Sequence, residues 1–473
     1  MKATNRNRSR EGGVFRLLGV IRRAFEEFLT VPACILAGFL LLAAGSYTLD
    51  QARIAWLEPL REALKARMFA DAGATSDLLG IIASGIITVT SITISLLLLA
   101  VQQAASSLTH EVFDQFLRRR SNQLYFGYFI GLAVYTLVTL ATVADPFNPV
   151  LGATVALVMT VVALLLLLLL LYSAIDQMRP AEIVDAIHRL TLDARERQLS
   201  LVRRTRRSSR FEGVAGTLVE MPEHGFVTRV KAGALAKAVQ VAEGEVEVVL
   251  KVAVGSYVAF GDAVAEVKAD TSEDAERVGE RVLEALVLER QRDVATDPDY
   301  GVEQLEVIAW TSISTANSDP GPGLLAIRTL RDLLARWSDQ EQEGHQDEPL
   351  PVVYEDNLFA RLLGTFESLA VVASESMQHQ SLAELLHTVA RTFERLPPEY
   401  QPRAEELVLR TLPALGDHVL TARLESALDA LAEALASAPE TAAAVRAARD
   451  GLRLTVGELN SRATRVESKR RAG

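Results

Sequence analysis

The densest run of residues able to do chemistry is Arg292-Asp293-Val294-Ala295-Thr296-Asp297-Pro298-Asp299-Tyr300-Gly301-Val302-Glu303-Gln304-Leu305. Asp293, Asp297 and Asp299 are of the type that ligates Mg²⁺ and Ca²⁺, so a hard-metal loop is one reading. Their spacing fits no EF-hand loop. The favoured reading is a helix cap with local pairing to Arg292. A second run, Ser312 to Gly323, contains Ser318-Asp319-Pro320 and then Gly321-Pro322-Gly323. The helix that follows could accept an anion at its first turn, but an ordinary turn and helix start explains the same residues. His110, Glu111 and Asp114 share a helical face, a pattern common on solvated helices and weak as a transition-metal site. His345, His379, His387 and His418 are scattered and make no His-Glu-x-x-His arrangement. Neither a P-loop nor a G-x-S-x-G elbow occurs. Cys34 is the one cysteine, so no internal disulfide framework and no all-cysteine metal site can form. These residues predict no catalytic reaction, no cofactor and no bound metal.

The elements that carry these residues begin with four apolar runs, each about 20 residues or longer, the length that crosses a hydrocarbon core. They cover about 29–49, 78–101, 124–143 and 150–174, and none contains a charged residue. The first begins after a long basic arm and has no small-residue cleavage site, unlike a signal peptide. Basic residues cluster before the first run, at Arg118-Arg119-Arg120 between the second and third, and densely from Arg179 to Arg210. The loop between the first two runs balances its basic residues with Asp50, Glu58, Glu62, Asp71 and Asp77. The positive-inside rule then predicts a multi-pass protein of the bacterial inner membrane with both ends in the cytoplasm. Residues 1–210 carry a surplus of seven positive charges and the remainder a deficit of 18, which together give the net charge of -11. The basic part suits anionic headgroups, and the acidic remainder argues against nucleic acid as a partner.

The second run differs from the others. Gly80, Ser84, Thr88, Ser91 and Ser95 recur at spacings of three and four, on one helical face. Small residues let helices approach closely in lipid, and hydroxyls can bond across the contact. The same stripe would also suit a weakly polar pore wall. No intramembrane ionisable residue points to a proton relay or ion-coupled transport. The leucine run Leu164–Leu171 of the fourth reads as a lipid-facing anchor.

Beyond the membrane, Ile183, Val184, Ile187, Leu190 and Leu192 give 175–210 the pattern of a basic amphipathic linker helix, resting on lipid or packed on a neighbour. From 211 to 270 valine alternation predicts strands, and Gly255 and Gly261 sit in a G-x-x-V-x-x-G-x-x-V pattern. This stretch resembles the small barrel-sandwich domains of the lipoyl and biotinyl type, without their lysine hairpin motif. Helical periodicity returns over 275–289 and 323–337, within a 271–339 segment. A polar linker precedes a helical bundle over 350–461, and 462–473 reads as a frayed tail. The predicted fold class is thus an α-helical integral membrane protein with four transmembrane helices over 28–174, after a basic arm at 1–27. It carries a cytoplasmic α+β region, a small β barrel-sandwich-like module followed by a helical bundle.

Several of these features coincide with a known family. The chain resembles the bacterial membrane proteins grouped as domain of unknown function 2254, from the first apolar run to about Trp337. The markers are the small-residue second run, Gln102-Gln103-Ala104-Ala105-Ser106-Ser107 after it, the β module, Asp297-Pro298-x-Tyr300-Gly301 with Gln304-Leu305, and Ile308-Ala309. Two places depart from the family's pattern, Ser314-Thr315 and Ser318-Asp319-Pro320. The resemblance implies a membrane location and a signature at Arg292, Asp297, Tyr300, Gly301, Gln304, Asp319 and Pro320, and brings no established activity. Two functional expectations remain. One is a homo-oligomeric channel or permeation protein with a cytoplasmic vestibule. The alternative is a non-transporting scaffold or sensor whose cytoplasmic domain binds a protein partner.

Overall fold

The structure, a computed structural model, describes residues 29–52, 58–107, 120–144, 147–177, 179–211, 214–314, 319–342 and 349–455. The basic arm, His110, Glu111 and Asp114, His345 and the charged tail lie outside the described residues. The chain divides into two units, Met1–Arg179 and Pro180–Gly473.

The first unit contains α1 (Thr30–Gln51), a short α2 (Glu58–Arg67), α3 (Ala72–Ser107), α4 (Arg120–Ala141) and α5 (Val150–Gln177). Four of these helices, α1, α3, α4 and α5, are long and apolar enough to cross a membrane. Helix α4 contacts α1, α3 and α5, and around it lie Phe39, Leu79, Ile82, Phe129, Leu132, Tyr135 and Val150. Close approach inside this unit uses glycines of α4. A Cβ on Gly127 would lie 2.8 Å from Ile35 Cδ1 and 2.9 Å from the Pro32 Cα, and one on Gly131 would fall into the Phe39 ring. These glycines are four residues apart, the small-residue motif of helix packing in lipid. Along α5, Leu164, Leu165, Leu168, Leu169 and Leu171 point outward while Ala163 and Leu170 are buried, as expected of an anchor with one packed edge.

The second unit begins with α6 (Pro180–Val202), β1 (Thr217–Glu220), β2 (Gly225–Val230), α7 (Ala232–Val239), β3 (Val246–Leu250), β4 (Tyr257–Val258) and β5 (Ala263–Ala269). Then come α8 (Ser272–Ala285), β6 (Leu286–Glu289), α9 (Pro298–Ile313), α10 (Gly321–Gln342) and β7 (Val352–Val353). Helices α11 (Leu358–Glu375), α12 (His379–Thr392), α13 (Gln401–Thr411), α14 (Ala422–Ala434) and α15 (Pro439–Thr455) complete it.

The strands form two sheets, β1-β5-β3-β7 and β4-β2-β6. All pairings are antiparallel except β3 with β7, where Val248 and Val249 pair with Val352 and Val353. Alternate inward valines, Val219, Val227, Val248, Val264 and Val267, share one core with Leu235 of α7 and with Val278 and Val282 of α8. The strand expectation over 211–270 therefore needs three amendments. A helix, α7, interrupts it. The predicted helix 275–289 stops at Ala285, and its last four residues become β6. The outer strand β7 comes from beyond the polar linker. Helical spacing cannot reveal the last two, because Leu286-Val287-Leu288 is short and apolar and therefore ambiguous between states.

Helix α6 is packed into this unit, against α9 and α10, with Ile183, Val184, Ile187 and Thr191 buried. Arginines of 175–210 find partners here. Arg195 bonds Asp356 at 2.6 Å, Arg197 donates to the Ala295 carbonyl at 2.6 Å, and Arg207 pairs with Glu399 at 2.5 Å.

Candidate functional site

Two places in the described residues gather the side chains singled out by the sequence. The first is built on α9. Asp297 is its N-cap and accepts from the Tyr300 amide at 3.1 Å, with Pro298 at the first helical position, where a missing N–H costs nothing. The carboxylates ahead of and within this turn face one guanidinium. Arg292 donates through Nε to Asp297, through Nη2 to Asp299 and through Nη1 to Glu303, each at 2.6 Å. Its guanidinium also lies 5.0 Å from the centre of the Tyr300 ring. Burial by itself would lower the Arg292 pKa, but the bonds and charges of Asp297 and Asp299 more than reverse that and hold it above its ordinary value. Asp293 is spent on its own loop, accepting from the Ala295 amide at 2.9 Å. The aspartates of this loop thus serve as cap, turn and counter-ion.

The hub is possible because two glycines leave room for it. Gly255, from the turn before β4, has φ +95°, and a Cβ there would lie 2.7 Å from Arg292 Nη2 and 3.2 Å from Asp297 Oδ2. Only glycine takes this backbone without strain and lets the guanidinium pass. A Cβ on Gly301 would fall onto Thr191 Oγ1, so α9 and α6 cross here at near contact. Gln304 is buried one turn further along α9. Asp319 and Pro320 stand apart from this group, beyond the far end of α9, a helix about 24 Å long. There Asp319 accepts from the Gly321 amide at 2.9 Å and opens α10. The signature is therefore two helix starts, not one constellation.

Beside the hub lies a cavity of about 460 Å³ whose walls include Ser256, Asp299, Tyr354, Asp356, Arg361 and Arg403. Asp299 is shared by Arg292 and by Arg361, the latter at 3.5 Å, and Arg361 also bonds Glu306 at 3.0 Å. Tyr354 accepts from the Gln198 amide at 3.1 Å, and burial, with the Asp356 charge, pushes its phenol up to about 12. The cavity is of small-molecule size. Asp299 and Arg361 already hold one another there, and Asp356 is held by Arg195.

The second place is the stripe on α3. Leu79, Ile82, Ala83 and Ile86 of this helix are buried in their own unit, and Ser84, Thr88, Ser91 and Ser95 are exposed. A Cβ on Gly80 would meet nothing within 4 Å. Three of the four hydroxyl protons are spent on the same helix: Ser84 donates to the Ile81 carbonyl at 3.1 Å, Thr88 to the Ser84 carbonyl at 2.7 Å and Ser95 to the Ser91 carbonyl at 2.9 Å. The stripe does not pack against this chain's own described helices, and close approach falls to Gly127 and Gly131 instead.

One residue of this unit escaped the sequence reading. Asp50 was expected in the loop after the first apolar run, but α1 continues to Gln51 and Asp50 is 2% exposed. Its carboxylate accepts from the Leu151 amide at 3.1 Å and the Gly152 amide at 2.9 Å, capping α5 across the unit. Tyr135 joins them, donating to the Gly152 carbonyl at 3.0 Å. The available signal was Asn148-Pro149, a helix start whose free amides need an acceptor.

No curated protein and no solved structure matches the chain. A family does: residues 26–387 match the one described as "Predicted membrane protein (DUF2254)". With four membrane-length apolar helices and a match over most of its length, the chain is a membrane protein and belongs to that family.

Proposed function

We propose that the protein is a homo-oligomeric permeation protein of the bacterial inner membrane, with α3 at the contact between copies and bordering the path. Both chain ends lie in the cytoplasm, and the second unit forms a vestibule there, with anionic headgroups beside the basic segments. The observation that carries this reading is the outward face of α3. Gly80, Ser84, Thr88, Ser91 and Ser95 are left uncovered by the chain's own described helices. Exposed hydroxyls facing hydrocarbon gain nothing there, whereas another copy or a hydrated path uses them. Because the protons of Ser84, Thr88 and Ser95 are bonded back to the helix, these oxygens present lone pairs outward, a surface that favours cations over anions. No reaction is assigned to the protein.

Helix α3 has 36 residues, about 54 Å, well beyond the roughly 30 Å of hydrocarbon. It is long enough to join a membrane contact to one outside it. The alternative is a scaffold or sensor whose cytoplasmic unit binds a protein partner, with the stripe serving only as subunit contact.

Purified protein in liposomes tests both. The expected result is cation flux above that of protein-free liposomes, lowered together with oligomer size by Ser84→Leu with Thr88→Leu. An oligomer that the double change disrupts, without flux, leaves the scaffold reading in place and removes permeation. Intact oligomer size and unchanged flux in the double variant would overturn the role of α3.

A further inference from the structure

A second gathering of charge in the second unit lies away from the Arg292 hub, at Glu384 on α12. Its carboxylate, 7% exposed, accepts from three arginines of two other helices. Arg328 of α10 spans both oxygens, through Nε and Nη2 at 3.1 Å each. Arg331 of α10 approaches at 3.5 Å, and Arg423 of α14 donates at 2.8 Å. These guanidiniums are not buried with it: Arg328, Arg331 and Arg423 are 46%, 26% and 42% exposed. Arg391, two turns along α12 from Glu384, is exposed and has no hydrogen-bond or ion-pair partner among the described residues.

One carboxylate thus stands against three guanidiniums, with a fourth, Arg391, further along its own helix. Of the nearby carboxylates, Asp332 is held by His188 at 2.8 Å and Arg336 at 2.7 Å and Glu425 by Arg453, and exposed Glu394 lies three residues beyond Arg391. The excess is felt at His387, one turn from Glu384. Burial first, then the charges of Arg391, Arg423 and Arg331, hold this imidazole below its ordinary pKa, and Glu384 only partly opposes them. A surplus of positive charge so concentrated stands out in a half of the chain that is otherwise strongly acidic.

We propose that this patch recognises a phosphoryl group. Three arginines from two helices converge on a shared point, and most of their N–H donors are left over after Glu384 has been served. A phosphoryl group offers several oxygens in different directions and takes forked donors from more than one guanidinium at once. Glu384 acts as the organiser. It holds the three side chains in place before the ligand arrives, which lowers the ordering cost of binding. A phosphoryl group carries more oxygens and more negative charge than a carboxylate, so it matches the excess of guanidiniums better. The phosphoryl group can belong to a soluble molecule or to a lipid headgroup, since the chemistry of recognition is the same.

The test uses the full chain in detergent, with inorganic pyrophosphate in one arm and phosphatidylglycerol in the other, against sodium chloride at matched ionic strength. Thermal stability and titration of binding are both read. Arg331→Ala combined with Arg423→Ala is the decisive variant, because Arg328 still pairs bidentately with buried Glu384 and the fold keeps its internal ion pair. Arg391→Ala is a second variant that breaks no bond, and Arg281→Ala, at an exposed position of α8, is the control. The expected result is stabilisation by pyrophosphate, weakened about tenfold or more in the double variant and less in Arg391→Ala, and unchanged in Arg281→Ala. Stabilisation by phosphatidylglycerol alone, lost in the same variants, identifies the headgroup as the source. If neither arm stabilises the protein beyond chloride, or if stabilisation survives the double substitution, the proposal is wrong.

Discussion

At the scale of single residues, Asp297 and Asp299 of the 292–305 run have become counter-ions. Arg292 sits 11% exposed among Asp297, Asp299 and Glu303. Removing it leaves buried carboxylate unpaired, so Arg292→Ala should lower stability by about 3 kcal/mol or more. Arg292→Lys should recover little, because an ammonium cannot reach three carboxylates from one planar fork. Gly255→Ala should cost about 1–2 kcal/mol through its φ and through contact with the same guanidinium. Thermal denaturation of the three variants checks this, and unchanged melting in Arg292→Ala would remove the hub from the account of stability. Acid sensitivity belongs to other carboxylates, those held below their ordinary pKa, of which Glu247 is one and Glu384 another. Burial alone would raise the Glu247 pKa, but the Arg210 and Phe211 amides, the Ser209 hydroxyl and Arg206 bring it below its ordinary value. A depressed carboxyl stabilises the fold above its unfolded pKa and loses that contribution as pH falls through the folded one. Melting temperature should therefore drop as pH goes from about 7 to below about 4, and Glu247→Gln should flatten that limb while lowering the neutral value. An acid limb as steep in Glu247→Gln as in the parent would assign the sensitivity elsewhere.

At the scale of elements, two faces that look alike in sequence do different work. Glycines occur along α3 and α4, and Gly127 and Gly131 of α4 meet another helix whereas Gly80 and Gly85 of α3 meet nothing within 4 Å. Gly131→Leu should drive into Phe39 and lower the stability of detergent-solubilised protein even when dilute. Gly80→Leu meets nothing within the chain and should leave that stability alone while reducing oligomer size. Equal effects of the two on dilute protein would contradict the packing described here. The β module behaves as an element completed from elsewhere. Its outer strands β6 and β7 come from 286–289 and 352–353. A 211–270 fragment leaves backbone donors and acceptors of β2 and β3 without partners and exposes the valines of the shared core. Circular dichroism of that fragment should show a largely unfolded chain, whereas a 180–455 fragment should show mixed helix and strand. A sheet-rich spectrum from 211–270 would mean that the outer strands are dispensable.

At the scale of the whole molecule, the charge distribution predicts which side of the membrane each unit faces. Ala63, on α2, and Ser437, between α14 and α15, are both exposed. Cysteines placed at these positions in a Cys34→Ala background can be probed with an impermeant thiol reagent on cells whose outer barrier is opened. Labelling at Ala63→Cys and protection at Ser437→Cys is the expected outcome, and the reverse pattern would invert the topology.

The sequence by itself determined the membrane helices, because 20 apolar residues in succession have no other stable place, and hydrocarbon burial depends on composition more than on partners. It also determined the Asp297 cap and its pairing with Arg292, since both are local along the chain. Tertiary structure alone decided what is joined over distance. Asp50 caps a helix that begins 100 residues later in the chain, near Val150, and Gly255 makes room for a side chain it does not adjoin. Strands β6 and β7, too short to show a period, take their state from the edges they meet. The convergence on Glu384 belongs to the same class: Arg328, Arg331 and Arg423 are scattered along the chain, and only the packing of α10, α12 and α14 brings their charges to one point.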